Sequence, residues 1–167
     1  MAAFEVGIGL GSNIGDKAAN IREAMRRLRA DGDVALKAMS SLYRTAPWGV
    51  IEQDFFVNAC AIVTTRLPPR ELLARAKTIE HDMGRERGVR WGPRLIDIDL
   101  LYYGDLTVED DDLKLPHLDL FNRAFVLVPL AEIAPGLVLG GRSVGAAAAA
   151  ASSGEVARLD GGASHPA

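Results

Sequence analysis

The sequence has little cysteine, no long apolar run and no large excess of charge of either sign. Its one cysteine, Cys60, excludes an internal disulfide and lies in an alternating apolar stretch that is typical of a core residue. The longest apolar run, residues 125–131, is far too short to cross a bilayer, and the first residues do not follow the signal-peptide pattern. We therefore expect a cytoplasmic protein that makes no membrane contact.

The charge balance excludes a general binder of polyanions. A formal net charge of −3 and a pI near 5.6 argue against nucleic acid as a partner, so affinity for phosphate has to come from local arginine clusters. The 167 residues, 49% of them hydrophobic, can fill one core. We expect a monomer with a single domain over residues 1–160 and a frayed tail over 161–167.

The glycine-rich start, "GIGLGSNIGD", lacks both common nucleotide-loop patterns. Gly7, Gly9 and Gly11 do not have the dinucleotide spacing, and no Gly-Lys-Ser/Thr follows. This excludes a P-loop kinase and a Rossmann enzyme. We instead expect these glycines to serve tight chain reversal and close packing.

The order of predicted elements is strand, helix, strand, strand, helix, strand. This order is typical of an α+β, ferredoxin-like βαββαβ sheet, antiparallel, with helices on one face and the other face open. An added hairpin and C-terminal helices follow. Apolar periodicity predicts four strands over 4–10, 34–47, 54–66 and 95–103. It predicts one helix over 17–30 and a second that follows Pro68 and Pro69 and stops near Gly84. The hairpin is expected over 106–115, and further helices over 122–134 and 143–153.

Two acidic residues interrupt the apolar fourth strand. In "RWGPRLIDIDLLYYG", Asp97 and Asp99 alternate with Ile96, Ile98 and Leu100. The two carboxylates therefore share one face, roughly 6.6 Å apart along the strand. Adjacent carboxylates repel unless a cation joins them, and Mg²⁺ prefers a few carboxylates together with substrate phosphates. The pair predicts a metal-phosphate site, and the alternative is a solvated edge strand.

An arginine-rich segment precedes that strand. "GRERGVRWGPR" holds Arg85, Arg87, Arg90 and Arg94, and its glycines and proline predict a mobile loop. Forked guanidinium groups beside a metal suit phosphoryl transfer, in which the protein mainly positions groups and neutralises charge. A solubilising surface loop is the alternative, although Trp91 in its middle favours closure over a ligand.

Two weaker patterns complete the candidate site. His117 and Arg123, in "LPHLDLFNRAF", offer two donors to a phosphate chain. Phe56 and Phe125 offer a slot for a flat ring, and Asn58 offers both a donor and an acceptor to the edge of a heterocycle. Core packing is the alternative for the aromatic residues.

These stretches together resemble a known family. "RWGPRLIDIDLLYYG", "GLGSN", "SSLYRTAPWG", "DFFVNA" and "LPHLDLFNRAFVLVPLAEIAP" are similar to the 6-hydroxymethyl-7,8-dihydropterin pyrophosphokinases, over about residues 4–140 and in the family's order. The resemblance implies transfer of pyrophosphate from ATP to a pterin alcohol in folate biosynthesis. It also implies two Mg²⁺ ions held by Asp97 and Asp99, with Arg85 and Arg94 stabilising the transferred group.

The resemblance also implies which residues contact each substrate. For ATP these are Lys77, Glu80, Arg87, Trp91, Leu100, Lys114, His117 and Arg123. For the pterin these are Thr45, Ala46, Pro47, Trp48, Phe56, Asn58 and Phe125.

A rival function from another class is a module that binds single-stranded RNA. An open ferredoxin-like sheet with exposed aromatic residues can stack bases. That function predicts basic residues along the sheet, whereas here the aromatic residues lie beside acids and the net charge is negative.

Overall fold

The structure is a computed structural model that describes residues 3–45, 55–86, 95–151 and 156–159, without the side chains of residues 85 and 86. The expected frayed tail over 161–167 lies outside the described residues. No helix in the described ranges is long and apolar enough to cross a membrane. The strands are β1 (Phe4–Ser12), β2 (Val34–Met39), β3 (Tyr43–Thr45), β4 (Phe56–Thr65), β5 (Asp97–Tyr103), β6 (Val108–Glu109), β7 (Lys114–Leu115), β8 (Val138–Leu139), β9 (Arg142–Ser143) and β10 (Val156–Arg158), and the helices are α1 (Lys17–Leu28), α2 (Pro69–Glu86), α3 (Ala124–Ile133) and α4 (Val144–Ala151).

The main sheet is antiparallel and has β1 and β4 at its centre. The strand order is β10-β3-β4-β1-β5, and β2 also pairs with β4. With α1 after β1 and α2 after β4, this is the predicted βαββαβ arrangement, and the fold class is confirmed. The added hairpin (β6 and β7) and the C-terminal helices are present as expected.

Strand β1 shows how the sequence produces two different sheet faces. Val6, Ile8 and Leu10 are buried against α1 and α2, where they join the larger hydrophobic core. Alternation puts the intervening glycines on the other face. Helix α1 begins as predicted, because the Asp16 side chain accepts a hydrogen bond from the Ala19 N–H at 3.1 Å.

The predicted second strand is interrupted. Met39 pairs with Ala61 and Tyr43 pairs with Asn58. The chain therefore advances four residues from β2 to β3 while the facing strand β4 advances three. The Ser40 side chain accounts for the irregularity, since its Oγ accepts the Cys60 N–H at 2.9 Å in place of a backbone carbonyl. The sequence pattern alone did not separate β2 from β3.

The sheet face opposite α1 and α2 is only partly open. Helices α3 and α4 form a second hydrophobic core there with residues of β4 and β5, including Cys60, Leu101 and Tyr102. A register shift at Gly7 and Ile8 leaves Leu101 as an extra residue of β5. The β8–β9 hairpin and the edge strand β10 were not expected from the sequence. The part of this face that α3 leaves uncovered carries the candidate site.

Candidate active site

The two aspartates of β5 lie where the alternation predicted. Ile96, Ile98 and Leu100 are buried in the larger core, and Asp97 and Asp99 are half-buried on the opposite face. The apolar residues thus fix the strand while the carboxylates face the side that α3 covers in part.

Cross-strand pairing aligns the aspartates with other candidate residues. One row runs from Asn58 through Gly11 to Asp97, and the next runs from Cys60 through Gly9 to Asp99. Because neighbouring strands lie about 4.8 Å apart, each row puts its outer residues about 10 Å from each other with only a glycine between them. The free space above β1 is therefore bounded by Asn58 and the aspartates.

Gly9 and Gly11 of β1 leave this space open because they lack side chains, and Gly7 makes room for the Tyr102 ring farther along the strand. A Cβ at Gly11 would lie 2.8 Å from the Asn58 Nδ2, and one at Gly7 would lie 2.3 Å from the Tyr102 ring. The expectation of close packing is confirmed for these glycines. The expected chain reversal is wrong at them, since Gly7, Gly9 and Gly11 all lie inside the strand.

A cavity of about 520 Å³ occupies this part of the sheet. Its size suits a bicyclic ring and a short substituent. Predicted residues for the pterin and for the metal come together here, and Arg123, predicted for ATP, lies with them. Asp119, Asn122, and the glycines of β1 that form the floor of the cavity were not predicted. The lining consists of Gly9, Leu10, Gly11, Thr45, Phe56, Asn58, Ala59, Asp97, Asp99, Asp119, Asn122, Arg123, Phe125 and Val126.

The amide of Asn58 is held in one orientation within the cavity. The Thr45 hydroxyl donates to the Asn58 Oδ1 at 2.7 Å, and both residues are buried. This bond fixes the orientation of the amide, so that its Nδ2 is presented to a ligand as a donor. The backbone groups around Gly11 complete the polar floor.

Cys60 is a core residue as expected. It is 1% exposed, and its Sγ lies 3.5 Å from the Val126 carbonyl oxygen. Burial raises the pKa of the thiol, and the nearby Asp99 carboxylate raises it further. The thiol is therefore protonated and unreactive under ordinary conditions.

A second, smaller cleft of about 220 Å³ lies beyond β5. It also contains Asp99, so the cavity and the cleft meet at that residue. Four residues predicted for ATP line the cleft. The lining consists of Leu73, Lys77, Ile98, Asp99, Leu100, Asp111, Asp112, Leu113, Lys114, His117 and Leu118.

His117 and Arg123 lie in different places, His117 in the cleft and Arg123 in the cavity. His117 lines the cleft, where its ring Nδ1 accepts the Asp119 backbone N–H at 3.2 Å. The backbone N–H of His117 donates to the Leu101 carbonyl oxygen at 2.7 Å. The ring Nε2 is then the atom that donates to a ligand. Arg123 lines the cavity and pairs with Asp119 at 3.3 Å. The sequence spacing did not distinguish these two positions.

Glu80 supports the aspartates from α2. Its Oε2 accepts the Ile98 N–H at 2.7 Å, and Lys77 lies 3.5 Å from its other oxygen. The Glu80 side chain is 14% exposed, so the bond is largely shielded from water. Because Ile98 lies between Asp97 and Asp99, this bond fixes the backbone from which both carboxylates project.

Several predicted site residues lie outside the described residues. They are Ala46, Pro47, Trp48, Arg87, Trp91 and Arg94, together with the side chain of Arg85. Their roles stay predictions.

The donor set fits Mg²⁺ better than a metal held entirely by protein. Among the described residues no group of three or more His, Cys, Asp or Glu side chains is placed to hold a metal ion. Two carboxylates on one strand face fit Mg²⁺, which completes its shell with water and substrate phosphates. Carboxylates beside the Phe56 and Phe125 rings are also unfavourable for an RNA backbone, which carries negative charge.

Comparison with known proteins gives a consistent family. The model of the 7,8-dihydro-6-hydroxymethylpterin-pyrophosphokinase (HPPK) family matches residues 7–135. A 2-amino-4-hydroxy-6-hydroxymethyldihydropteridine pyrophosphokinase from Methylorubrum extorquens is 53% identical over 137 residues, 82% of this chain and 87% of the relative. The Bacillus subtilis protein of the same name is 43% identical over 126 residues, 75% of each chain.

Longer relatives match over part of their length. A mitochondrial folate synthesis bifunctional protein from Arabidopsis thaliana is 47% identical over 129 residues, which are 77% of this chain and 23% of that protein. A crystal structure of HPPK-DHPS in complex with substrates has a TM-score of 0.73 at 13% identity, covering 90% of this chain and 44% of the other. At that identity the likeness concerns the fold.

Proposed function

The chain belongs to the 7,8-dihydro-6-hydroxymethylpterin-pyrophosphokinase family, and on that premise we propose how its two hollows share the transfer of pyrophosphate. As a member, it transfers pyrophosphate from ATP to 6-hydroxymethyl-7,8-dihydropterin in folate biosynthesis, giving AMP and the pterin diphosphate. In the proposal, the pterin occupies the cavity, ATP occupies the cleft, and the reaction takes place at Asp99. The observation that carries this division is that the cavity and the cleft share that residue.

The lining of the cavity supports its assignment to the pterin. Phe56 on β4 and Phe125 on α3 supply aromatic surfaces for a flat ring. Asn58, held by Thr45, supplies a fixed donor to the ring edge. An alcohol substituent directed toward Asp97 and Asp99 then points at the cleft.

The cleft has groups that suit a nucleotide triphosphate. Lys77, Lys114 and His117 supply donors to phosphate oxygens, and Leu73, Leu100 and Leu118 supply apolar surface for a base. The chemistry of these groups supports ATP on this side of Asp99.

Mg²⁺ is part of the proposal. Asp97 and Asp99 would hold it, with Glu80 fixing their backbone. When bound, Mg²⁺ neutralises phosphate charge and orients the phosphates for displacement. The aspartates would otherwise repel the triphosphate, so the metal requirement follows from the charge of the site.

The transfer is proposed as an in-line displacement. The hydroxymethyl oxygen forms a bond to the β-phosphorus, the bond from that phosphorus to the oxygen bridging to the α-phosphorus breaks, and AMP leaves. The hydroxyl proton passes to solvent water in the same step. Arg85 and Arg94 add charge stabilisation to the transferred group, while the sheet residues hold the pterin within reach of the phosphate.

A direct assay tests the proposal. Incubation of the purified chain with ATP, Mg²⁺ and 6-hydroxymethyl-7,8-dihydropterin should give AMP and the pterin diphosphate in equal amounts. Reactions without the pterin, and reactions with a chelator in excess over Mg²⁺, serve as controls. Equal AMP formation without the pterin would contradict the assigned acceptor, and full activity in the chelator would contradict the metal requirement.

A further inference from the structure

Strand β10 extends the row of site residues to the edge of the sheet. Arg158 pairs with Tyr43, Tyr43 pairs with Asn58, and Asn58 continues through Gly11 to Asp97. The same edge strand pairs Val156 with Thr45, the residue that orients the Asn58 amide. Strand β10 lies beyond residues 7–135, the part that matches the family model.

Glu132 connects this edge of the sheet to α3. Its carboxylate accepts the Ser41 N–H at 3.0 Å, the Ser41 hydroxyl at 2.9 Å and the Tyr43 hydroxyl at 2.7 Å. Arg158 lies 3.4 Å from the same carboxylate, whose side chain is 11% exposed. Four groups, from β3, from β10 and from the segment between β2 and β3, thus surround one nearly buried negative charge.

Arg158 compensates the charge of Glu132 from β10. A shielded carboxylate is costly unless it is paired and hydrogen-bonded, and a guanidinium provides both forms of compensation. Burial and the Glu132 carboxylate both raise the pKa of Tyr43, so its hydroxyl stays protonated and donates to Glu132.

We propose that β10, through Arg158 and its pairing with β3, is a positioning element that fixes the width of the pterin cavity. Two walls depend on it: β3, which ends at Thr45, and α3, which carries Phe125 in its first turn and Glu132 near its end. Without β10, β4 is the one strand that pairs with β3, and the carboxylate of Glu132 that bonds Tyr43 loses its cation. This inference rests on the proposed placement of the pterin.

The effect should be directional. The elements that β10 holds line the cavity, whereas the cleft is built by α2, β5 and the β6–β7 hairpin. Loss of β10 contacts should weaken pterin binding and leave nucleotide binding nearly unchanged. A general loss of stability would affect both.

Two pairs of variants separate charge from backbone pairing. Arg158→Ala removes the cationic partner of the Glu132 carboxylate, and Arg158→Lys keeps a cation at that position. Leu159 N–H bonds the Leu42 carbonyl at 2.8 Å, and the antiparallel alternation then makes Ala157 and Arg44 the next hydrogen-bonded pair. Ala157→Pro removes the backbone N–H that donates to Arg44, whereas Ala157→Val keeps this N–H and adds a side chain that favours strands.

Dissociation constants for the pterin and for Mg²⁺-ATP provide the readout. We expect Ala157→Pro and Arg158→Ala to raise the dissociation constant of the pterin by about 10-fold. The dissociation constant of Mg²⁺-ATP should change by less than about 2-fold. Arg158→Lys should recover much of the loss, and Ala157→Val should resemble the unaltered chain. Circular dichroism and melting curves identify any variant that has unfolded.

The outcomes distinguish failure of the proposed function from failure of the positioning role of β10. If the unaltered chain does not bind the pterin, the proposed function fails. If it binds the pterin and folded Ala157→Pro and Arg158→Ala bind both ligands unchanged, or weaken both equally, the positioning role of β10 is overturned.

Discussion

The cavity and the cleft share Asp99 but differ in how their other residues are held. The cavity is built from β1, β3, β4 and α3, and its key amide is fixed by a buried hydrogen bond from Thr45. The cleft is lined by longer charged side chains, and the hairpin that carries Lys114 is tied to α2 by exposed ion pairs of Arg70 with Asp110 and Asp112.

This difference indicates a division of work. An amide held in one orientation suits the edge of a flat heterocycle, because an unmatched buried polar group would be costly. Flexible cations suit a triphosphate, whose many oxygens tolerate several arrangements of donors. Substitutions in the cavity and in the cleft should therefore raise the KM of different substrates, and substitutions at their junction should abolish the reaction.

The largest effect is expected at the junction. Asp99→Asn keeps the size of the side chain but removes the charge that would hold the metal, and we expect turnover to fall by about 100-fold or more. Steady-state AMP formation measures the loss, with Asp105→Asn in the exposed turn after β5 as the matched control. Turnover within a few-fold of the unaltered rate in folded Asp99→Asn would remove this residue from the metal site.

The next largest effect is expected on the cavity floor. In Gly11→Ala, the added methyl group would meet the Asn58 Nδ2 and displace the amide from Thr45, so the KM for the pterin should rise by about 10-fold. The KM for ATP should be unchanged.

Gly7→Ala is the comparison for this change. Its methyl group would meet the Tyr102 ring, away from the cavity, so the free energy of unfolding should fall by about 1–3 kcal/mol with little change in KM. Equal kinetic effects of the two substitutions would show that the floor has no specific part in pterin binding.

A smaller effect is expected in the cleft. Lys114→Ala removes one flexible cation among several donors, so the KM for ATP should rise by about 3- to 10-fold while the KM for the pterin stays constant. Initial rates at saturating concentrations of the other substrate measure both constants. Lys37→Ala, on the distant strand β2, is the control, and a change in the pterin KM alone would place Lys114 with the wrong substrate.

The smallest effect is expected at a site remote from both hollows. Arg26 and then Arg27 lower the pKa of Glu23 to about 2 from 4.5. Since the folded-state pKa is depressed, the stabilisation is present above about pH 4.5 and is lost as the pH falls toward 2.

Glu23→Gln tests this assignment. The pairs are partly exposed, so at pH 7 the change should cost about 0.5–1 kcal/mol of unfolding free energy, with kinetics unaltered. Denaturant unfolding at pH 7 and at pH 2 measures the difference between variant and parent. A difference that does not shrink at low pH would contradict the ion-pair origin.

Much of the fold followed from local patterns. The alternation around Asp97 and Asp99 gave their common face, and the periodicity of α1 gave a helix whose buried residues include Ile21 and Met25. These patterns are visible because each depends on residues close together in the chain.

The remaining features depend on contacts between distant residues. Ser40 interrupts the second strand by bonding to Cys60, twenty residues away, and β10 pairs with β3 across more than a hundred residues. Asp119 was missed because its sequence context resembles an ordinary loop, and Asn122 because it was assigned to the predicted third helix, which begins only at Ala124. The separation of His117 from Arg123 likewise depends on how the chain turns between β7 and α3.

Anomalous diffraction from crystals grown with Mn²⁺, a non-hydrolysable ATP analogue and the hydroxymethyl pterin would test the shared junction most directly. The account predicts metal peaks about 2.1 Å from carboxylate oxygens of Asp97 and Asp99, the pterin ring in the cavity between Phe56 and Phe125, and the nucleotide in the cleft beside Lys114 and His117. Metal bound away from both aspartates, or both substrates in the same hollow, would contradict it.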